Sequence, residues 1–140
     1  MSRPLYTTDV LRLAASLHET RELEREDGRA ELRSLTCGSR ITVAVQLDND
    51  RRVEMISQRV HACAFGQASA VLVQRHGIGR RHDEVASALV EISRWLAEEQ
   101  DETGGWPGLE VLEPARHRKG RHGAILLPFR ALLAAIEAAG

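Results

Sequence analysis

The chain has 140 residues, 43% of them hydrophobic, so we expect a single globular domain covering residues 1–140. Its formal net charge of −1 gives no general attraction to nucleic acid or to an anionic membrane surface. No stretch approaches the ~20 apolar residues of a membrane-spanning helix, and residues 1–13 lack a signal-peptide pattern. We therefore expect a cytoplasmic protein that binds neither membranes nor nucleic acid.

The N-terminal part predicts one helix followed by a charged segment. Thr7, Thr8 and Asp9 are residue types that cap helices, and apolar residues then recur at helical spacing from Val10 onward. Residues 19–27 are strongly charged, so they either extend this helix on a solvated face or connect it to the next element.

A β region follows the charged segment. Three strands are predicted, at residues 29–35, 41–47 and 53–62. The turn residues 48–50 separate the second strand from the third, and the irregular alternation at residues 54–58 predicts either a bulge or an edge strand. Because short turns join antiparallel strands, we expect a three-stranded antiparallel sheet.

Helical periodicity replaces strand alternation after residue 63. One helix is predicted from Ala64 until Gly77, and Asp83 is predicted to cap the next helix. The order of elements predicts an α+β fold in which several helices cover one face of the sheet.

The C-terminal part combines a loop, a basic stretch and a last helix. In the loop at residues 103–108, Trp106 is expected to pack on the core rather than to contact a partner. Residues 116–122 are basic, and the last helix then carries apolar residues through Ile136. Pro128 would fit this helix only near its first turn, because proline lacks a backbone N–H.

The two cysteines, Cys37 and Cys63, are the main candidates for a functional site. If residues 48–50 form a hairpin turn, Cys37 lies opposite a residue near 61 to 63, so the thiols are expected to be neighbours. Thiols ~5 Å apart can share a metal, form a disulfide or pack as inert core residues. The helix that follows Cys63 favours thiolate, and Gly38 permits an unusual backbone and close approach of a ligand.

Histidines are the candidates for further ligands. His61 shares the side of Cys63 on an extended strand, and His122 lies at the start of the last helix. Ser39 can offer only a weak hydroxyl ligand. The other histidines are expected in loops or on helix surfaces: His18, His76, His82 and His117. No CxxC or HxxxH spacing forms a metal motif by itself.

The segments around both cysteines resemble the NifU/IscU/SufU family of iron–sulfur scaffold proteins. Residues 35–41, Leu-Thr-Cys-Gly-Ser-Arg-Ile, are similar to the family's Cys-Gly-Asp segment. Residues 61–70, His-Ala-Cys-Ala-Phe-Gly-Gln-Ala-Ser-Ala, are similar to the segment in which a cysteine opens a helix rich in small residues. Residues 121–126 resemble the segment that carries the third cysteine. The resemblance covers nearly the whole chain and implies the same α+β fold.

The resemblance implies a non-enzymatic scaffold or carrier that binds iron or a [2Fe–2S] cluster. Such proteins receive sulfide from a cysteine desulfurase and pass the cluster to acceptor proteins. Cys37 and Cys63 match the first and second cysteine ligands, and Ser39 stands where the family has an aspartate. Gly123 replaces the third cysteine, so the candidate third ligand is the neighbouring His122, with His61 in reserve.

Several alternatives to an iron–sulfur scaffold are open at this point. Zinc accepts the same ligands as iron, so a zinc-binding sulfur acceptor or interaction module is one alternative, and a metal-free remnant of the scaffold fold is another. A cysteine enzyme that uses Cys63 with His61 or His122 has no motif behind it. The basic residues 116–121 suit an acidic partner, whereas scarce aromatic residues argue against nucleic acid. A second copy of the chain is a further candidate partner.

Overall fold

The computed structural model describes residues 6–17, 22–34 and 38–140. It has the predicted α+β architecture, with one three-stranded antiparallel sheet in the order β1-β2-β3. The elements are α1 (Thr8–Ala15), β1 (Gly28–Arg33), β2 (Arg40–Leu47), β3 (Val53–His61), α2 (Ala64–His76), α3 (His82–Leu96), a 3₁₀ helix (Leu109–His117) and α4 (Lys119–Ala138). Of the helices in these ranges, none is long and apolar enough to cross a membrane.

The described part of the charged segment after the first helix forms a connection instead of extending the helix, which is one of the two predicted alternatives. Thr7 caps α1 by accepting a hydrogen bond from the backbone N–H of Val10 at 3.1 Å. The helix ends at Ala15, and residues 22–27 form an irregular connection to β1. Residue 35, which was predicted to end the first strand, lies outside the described residues.

β2 is the central strand and pairs with both neighbours. The β1–β2 ladder extends from Gly28↔Val45 to Arg33↔Arg40, and the β2–β3 ladder ends where Arg40 pairs with His61. Residues in direct register project to the same face of a sheet, so alternate rows face the core and the solvent.

A bulge early in β3 shifts the hairpin register by one residue. Gln46 pairs with Met55, whereas Leu47 pairs with Val53, so Glu54 is the extra residue. This position lies within the segment for which a bulge was predicted. The residue numbers of the Leu47–Val53 pair sum to 100, whereas those of every pair from Gln46–Met55 to Arg40–His61 sum to 101. The bulge therefore shifts the β3 partner of each β2 residue from Arg40 to Gln46 by one position.

Asp27 holds the start of β1 against the far end of β2. Its carboxylate accepts hydrogen bonds from the backbone N–H of Leu47 at 2.7 Å and from the Arg25 guanidinium. The Leu47 N–H is the larger cause, followed by Arg25, and together they hold the pKa of Asp27 below its ordinary value. The Asp27 side chain therefore extends the hydrogen bonding of the β1–β2 ladder one step beyond Gly28, where β1 begins.

Helices cover the apolar face of the sheet. α4 packs across β1 and β2, α2 packs on β3, α1 packs on α2, and α3 packs on α4. The facing residues of β2, namely Ile41, Val43 and Val45, are at most 1% exposed. β1 approaches α4 closely at Gly28, because a Cβ there would overlap the Ala135 carbonyl oxygen.

α2 and α4 make an intimate contact that explains how α4 accommodates a proline. Pro128 is buried in the middle of α4, not in its first turn as predicted, and it cannot donate to the Ala124 carbonyl one turn earlier. Next to this break, Ser69 of α2 donates its buried hydroxyl to the Ile125 carbonyl oxygen at 2.6 Å. Tertiary hydrogen bonding and packing therefore offset the lost helical bond, and the expectation for Pro128 is corrected.

The start of α3 also differs from the prediction. The helix begins at His82 with Arg81 as its N-cap, so Asp83 lies inside the first turn instead of capping it. The carboxylate of Glu84 accepts a hydrogen bond from the backbone N–H of Arg81 at 3.3 Å. Asp83 instead places its negative charge near the positive end of the helix.

The 3₁₀ helix before α4 was not predicted from the sequence. This helix includes Arg116 and His117, the first two residues of the predicted basic stretch. Arg116 donates to the carbonyl oxygens of Trp95 at 2.8 Å and Gln100 at 3.0 Å, so its charge is committed to the fold. Trp106 packs on the core as predicted. It is 1% exposed, and its Nε1 donates to the Leu72 carbonyl oxygen at 3.1 Å.

We expect Gly28→Ala to destabilise the protein by about 3 kcal/mol, because the added methyl group would overlap the backbone of α4. The midpoint of urea unfolding measures this effect. Gly120→Ala is the matched control, since a Cβ at Gly120 meets nothing within 4 Å and alanine favours a helix. Equal midpoints for the two variants would contradict the close packing of β1 on α4.

Candidate functional site

Two chain segments leave the sheet at the same end and form the candidate site. Arg40 begins β2 opposite His61, the last residue of β3, so the residues before Arg40 lie near those after His61. The β1–β2 connection is closed by backbone hydrogen bonds, from Ser34 to the Ser39 carbonyl at 2.8 Å and from Gly38 to the Ser34 carbonyl at 3.2 Å.

Gly38 has the backbone conformation that only glycine adopts without strain. Its φ is +71°, in the left-handed region, and a Cβ at this position would meet nothing within 4 Å. Backbone geometry, not crowding, therefore accounts for the glycine. The sequence-based expectation of an unusual backbone at Gly38 is confirmed.

An open cavity of about 390 Å³ lies between the two segments. The residues that line it are Gly38, Ser39, Val60, His61, Ala62, Cys63 and Gln67. The cavity therefore contains three of the predicted site residues: Ser39, His61 and Cys63. Cys37 lies outside the described residues, directly before Gly38.

Cys63 presents a free thiol at the beginning of α2. It is the N-cap residue, with extended backbone at φ −66° and ψ 173°, and its carbonyl accepts the first helical bond from the Gln67 N–H at 2.9 Å. Its side chain makes no capping hydrogen bond and is half-buried. The thiol can therefore bind a ligand without loss of the helix cap.

The two other predicted cavity residues differ in accessibility. His61 is exposed at the end of β3, whereas Ser39 is only 3% exposed. The His61 imidazole and the Cys63 thiol are therefore the accessible donor groups that the described residues bring to this cavity.

His122 lies on the first turn of α4 and does not line the cavity. Its Nε2 is 3.0 Å from the carbonyl oxygens of both Ala115 and Arg116. A carbonyl oxygen only accepts, so Nε2 must carry the proton, and in the neutral ring the lone pair is then on Nδ1. Such an outer hydrogen bond fixes the ring and tautomer of many metal-binding histidines.

The start of α4 lies beside the first turn of α2. A Cβ at Gly66, three residues after Cys63, would be 3.3 Å from the Ala124 carbonyl oxygen. Gly123 directly precedes Ala124 and is half-buried. The position that corresponds to the family's third cysteine is therefore at the same end of the molecule as Cys63, but it offers no side-chain donor.

Among residues 6–17, 22–34 and 38–140, no three His, Cys, Asp or Glu side chains are grouped closely enough to hold a metal ion. The cavity supplies one thiol and one imidazole from these ranges. Tetrahedral zinc and common iron–sulfur clusters require four ligands. A complete site would therefore need Cys37 and at least one further donor.

Sequence reasoning missed Gln67 as a cavity residue. It lies four residues after Cys63 and so on the same helix face, and this i, i+4 spacing was readable once the cysteine was placed at the start of a helix. Val60 and Ala62, which flank His61, form the apolar walls and had no distinguishing sequence signal.

The chain matches no family model and no curated protein sequence. Among solved structures it is similar to the N-terminal part of a nitrogen-fixing NifU-like protein from Brucella abortus. The two share 31% sequence identity and a TM-score of 0.84, and the match covers 96% of this chain and 94% of the other.

Two further structures share the fold at lower sequence identity. A candidate iron–sulfur cluster assembly scaffold protein of the SUF system from Fervidobacterium islandicum has 19% identity and a TM-score of 0.81, covering 94% of this chain and 96% of its own. A hypothetical protein has 22% identity and a TM-score of 0.72, covering 92% of this chain and 94% of its own.

The resemblance of the cysteine segments, the antiparallel three-stranded sheet with its helices, and the full-length 31% identity agree with one another. The chain belongs to the NifU/IscU/SufU-like family of iron–sulfur scaffold proteins.

Proposed function

We propose that this protein is a non-enzymatic scaffold or carrier that binds iron or a [2Fe–2S] cluster through Cys37 and Cys63. The observation that carries the proposal is the shared cavity: the segment that follows Cys37 and the Cys63 thiol line the same space at the end of the sheet. Thiolates are the preferred ligands of iron–sulfur clusters, and a cavity open to solvent suits a cargo that must enter and leave.

His122 is the proposed third ligand, and Nδ1 is the proposed coordinating atom. Its Nε2 lies 3.0 Å from the carbonyl oxygens of Ala115 and Arg116, so Nδ1 is the ring nitrogen left to bind a metal. His61, which is exposed in the cavity, is the reserve ligand. Ser39 replaces the family's aspartate and would donate a hydrogen bond to a cluster sulfur instead of binding a metal.

With Gly123 in place of a third cysteine, the proposed set of Cys37, Cys63 and His122 supplies three ligands to the cluster. A position is then left for a sulfur from a partner, a small thiol or a second copy of the chain. This arrangement supports a carrier that accepts sulfide from a cysteine desulfurase and releases its cluster to acceptor proteins. The proposed site of action is the cytoplasm.

Anaerobic reconstitution with iron, sulfide and a thiol tests the proposal. We expect sulfide-to-iron absorption bands in the wild-type protein and their loss in both Cys37→Ala and Cys63→Ala, because each removes a thiolate ligand. Metal analysis of the same samples separates the alternatives. A colourless protein with stoichiometric zinc would favour a zinc module, and wild-type protein without either metal would indicate a metal-free remnant.

His122→Ala should lower cluster retention by about 10- to 100-fold, which is the range for loss of groups around a metal centre. His117→Ala is the matched control. His117 lies five residues before His122, is exposed, and its Nδ1 is 3.0 Å from Glu98 Oε1. Transfer of the cluster to a chelator gives the retention of each variant. Identical transfer from both variants would remove His122 from the ligand set.

Gly123→Cys should restore a third thiolate and slow cluster loss to the chelator by at least about tenfold. Gly120→Cys places an equally new thiol one helical turn earlier, at an exposed position with open space, and should leave the rate unchanged. If Gly123→Cys gives no slower loss than Gly120→Cys, the assignment of residue 123 to the third ligand position is wrong.

A further inference from the structure

One row of the sheet carries three basic side chains next to the thiol cavity. Arg33, Arg40 and His61 are direct partners across β1, β2 and β3, and all three are exposed. Directly paired residues project from the same face. The adjacent row, which contains the 1% exposed Ile41, projects into the core, so this basic row lies on the outer face of the sheet.

The basic row is unfavourable for the sheet itself. Directly opposed like charges destabilise an antiparallel pair, and Arg33 and Arg40 are such a pair. Arg29 on the same strand edge has an intramolecular partner, since its Nη2 lies 2.8 Å from Glu26 Oε1. Within the part of the chain that the structure describes, no carboxylate oxygen lies within 4.0 Å of the guanidinium of Arg33 or Arg40.

The basic row borders the cavity directly. Ser39, which precedes Arg40, and Cys63, two residues after His61, both line the cavity, and His61 belongs to the row and to the cavity wall. A molecule bound along the row therefore also reaches the Cys63 thiol.

We propose that the basic row is the docking site for an acidic segment of a partner protein. Two arginine side chains whose Cβ atoms a sheet ladder places about 5 Å apart can each bind a carboxylate through a bidentate pair of hydrogen bonds. An exposed sheet face suits an extended protein segment, whereas small ligands favour concave, mostly apolar sites. This docking role goes beyond the scaffold function and does not require a bound metal.

Other features of the molecule favour an acidic protein over nucleic acid. Base stacking relies mainly on large aromatic side chains, and the paired residues of the outer-face rows include no Phe, Tyr or Trp. The net charge of −1 also provides no general attraction to phosphate. The second exposed basic group, Arg118 and Lys119, lies on a loop and the first residue of α4, without the fixed spacing of paired strand residues.

Titration of ¹⁵N-labelled protein with a hexaglutamate peptide tests the docking site, with hexaglutamine as the uncharged probe. We expect the largest amide shifts at Arg33, Arg40 and His61, with affinity that falls as salt increases. Arg40→Glu should weaken binding by at least about tenfold, because it exchanges an attraction for a repulsion. Arg94→Glu, an equal charge change at an exposed site on α3, should leave the affinity unchanged.

Arg40→Thr separates docking from a structural role. It removes the like-charge pair, so the unfolding temperature should be equal to or above that of the wild-type protein while peptide binding falls. A lower unfolding temperature together with unchanged binding would mean that Arg40 serves the fold and would overturn the proposal.

Three other outcomes would also overturn it. One is that peptide shifts concentrate at residues 118–121 and disappear in the Arg118→Glu/Lys119→Glu double variant. Another is that Arg94→Glu weakens binding as much as Arg40→Glu, which would indicate general charge attraction. The third is that a twelve-nucleotide thymidine oligomer binds the row more tightly than hexaglutamate does, which would indicate a nucleic-acid surface. Reconstitution with iron and sulfide does not depend on any of these results, so the docking and scaffold proposals can fail separately.

Discussion

The pairing of β2 with β3 determines where the cavity residues Ser39, His61 and Cys63 lie. The hairpin turn is closed by Asp48, whose carboxylate accepts backbone hydrogen bonds from Asp50 and Arg52, both at 2.9 Å. The bulge at Glu54 then advances the register by one residue along the rest of the ladder. Because side chains alternate between faces, a slip of one residue would exchange the core row for the basic row.

The same register brings the proposed cluster site and the proposed docking row together at one end of the sheet. The β1–β2 connection and the connection from β3 to α2 form the cavity, which contains one described thiol. On the outer side, paired strand residues hold Arg33 and Arg40 at a separation that is costly for the sheet. An anionic partner bound to both arginines would relieve the repulsion between their charges, which is the physical reason for the docking proposal.

Close contact between α2 and α4 sets the third side of the site. Small residues on α2 allow the approach: a Cβ on Gly66 would lie 3.3 Å from the Ala124 carbonyl oxygen of α4, and Ser69 donates to the Ile125 carbonyl oxygen. The contact also places the first turn of α4, with His122, at the end of the molecule that carries Cys63. In the proposed site, glycine at residue 123 offers no side-chain ligand next to His122.

Much of this protein is determined by local sequence pattern. Strand alternation from Ile41 to Leu47, the turn residues 48–50 and the Cys63 helix start were sufficient to predict the sheet, its antiparallel pairing and the approach of the two cysteine segments. The reason is that period, turn chemistry and hairpin register are all set by residues close together in the chain. The family resemblance of the cysteine segments added the proposed ligand positions, and no cluster of ligating side chains among the described residues reproduces them.

Only the tertiary structure decided the features that depend on residues far apart in the chain. Pro128 is accepted inside α4 because packing against α2 offsets its missing N–H, and Arg116 is removed from the basic stretch by carbonyl oxygens of Trp95 and Gln100. The orientation of His122 likewise depends on the 3₁₀ helix, which has no strong sequence period. Local pattern specifies which elements form, whereas the partners of a side chain depend on how those elements pack.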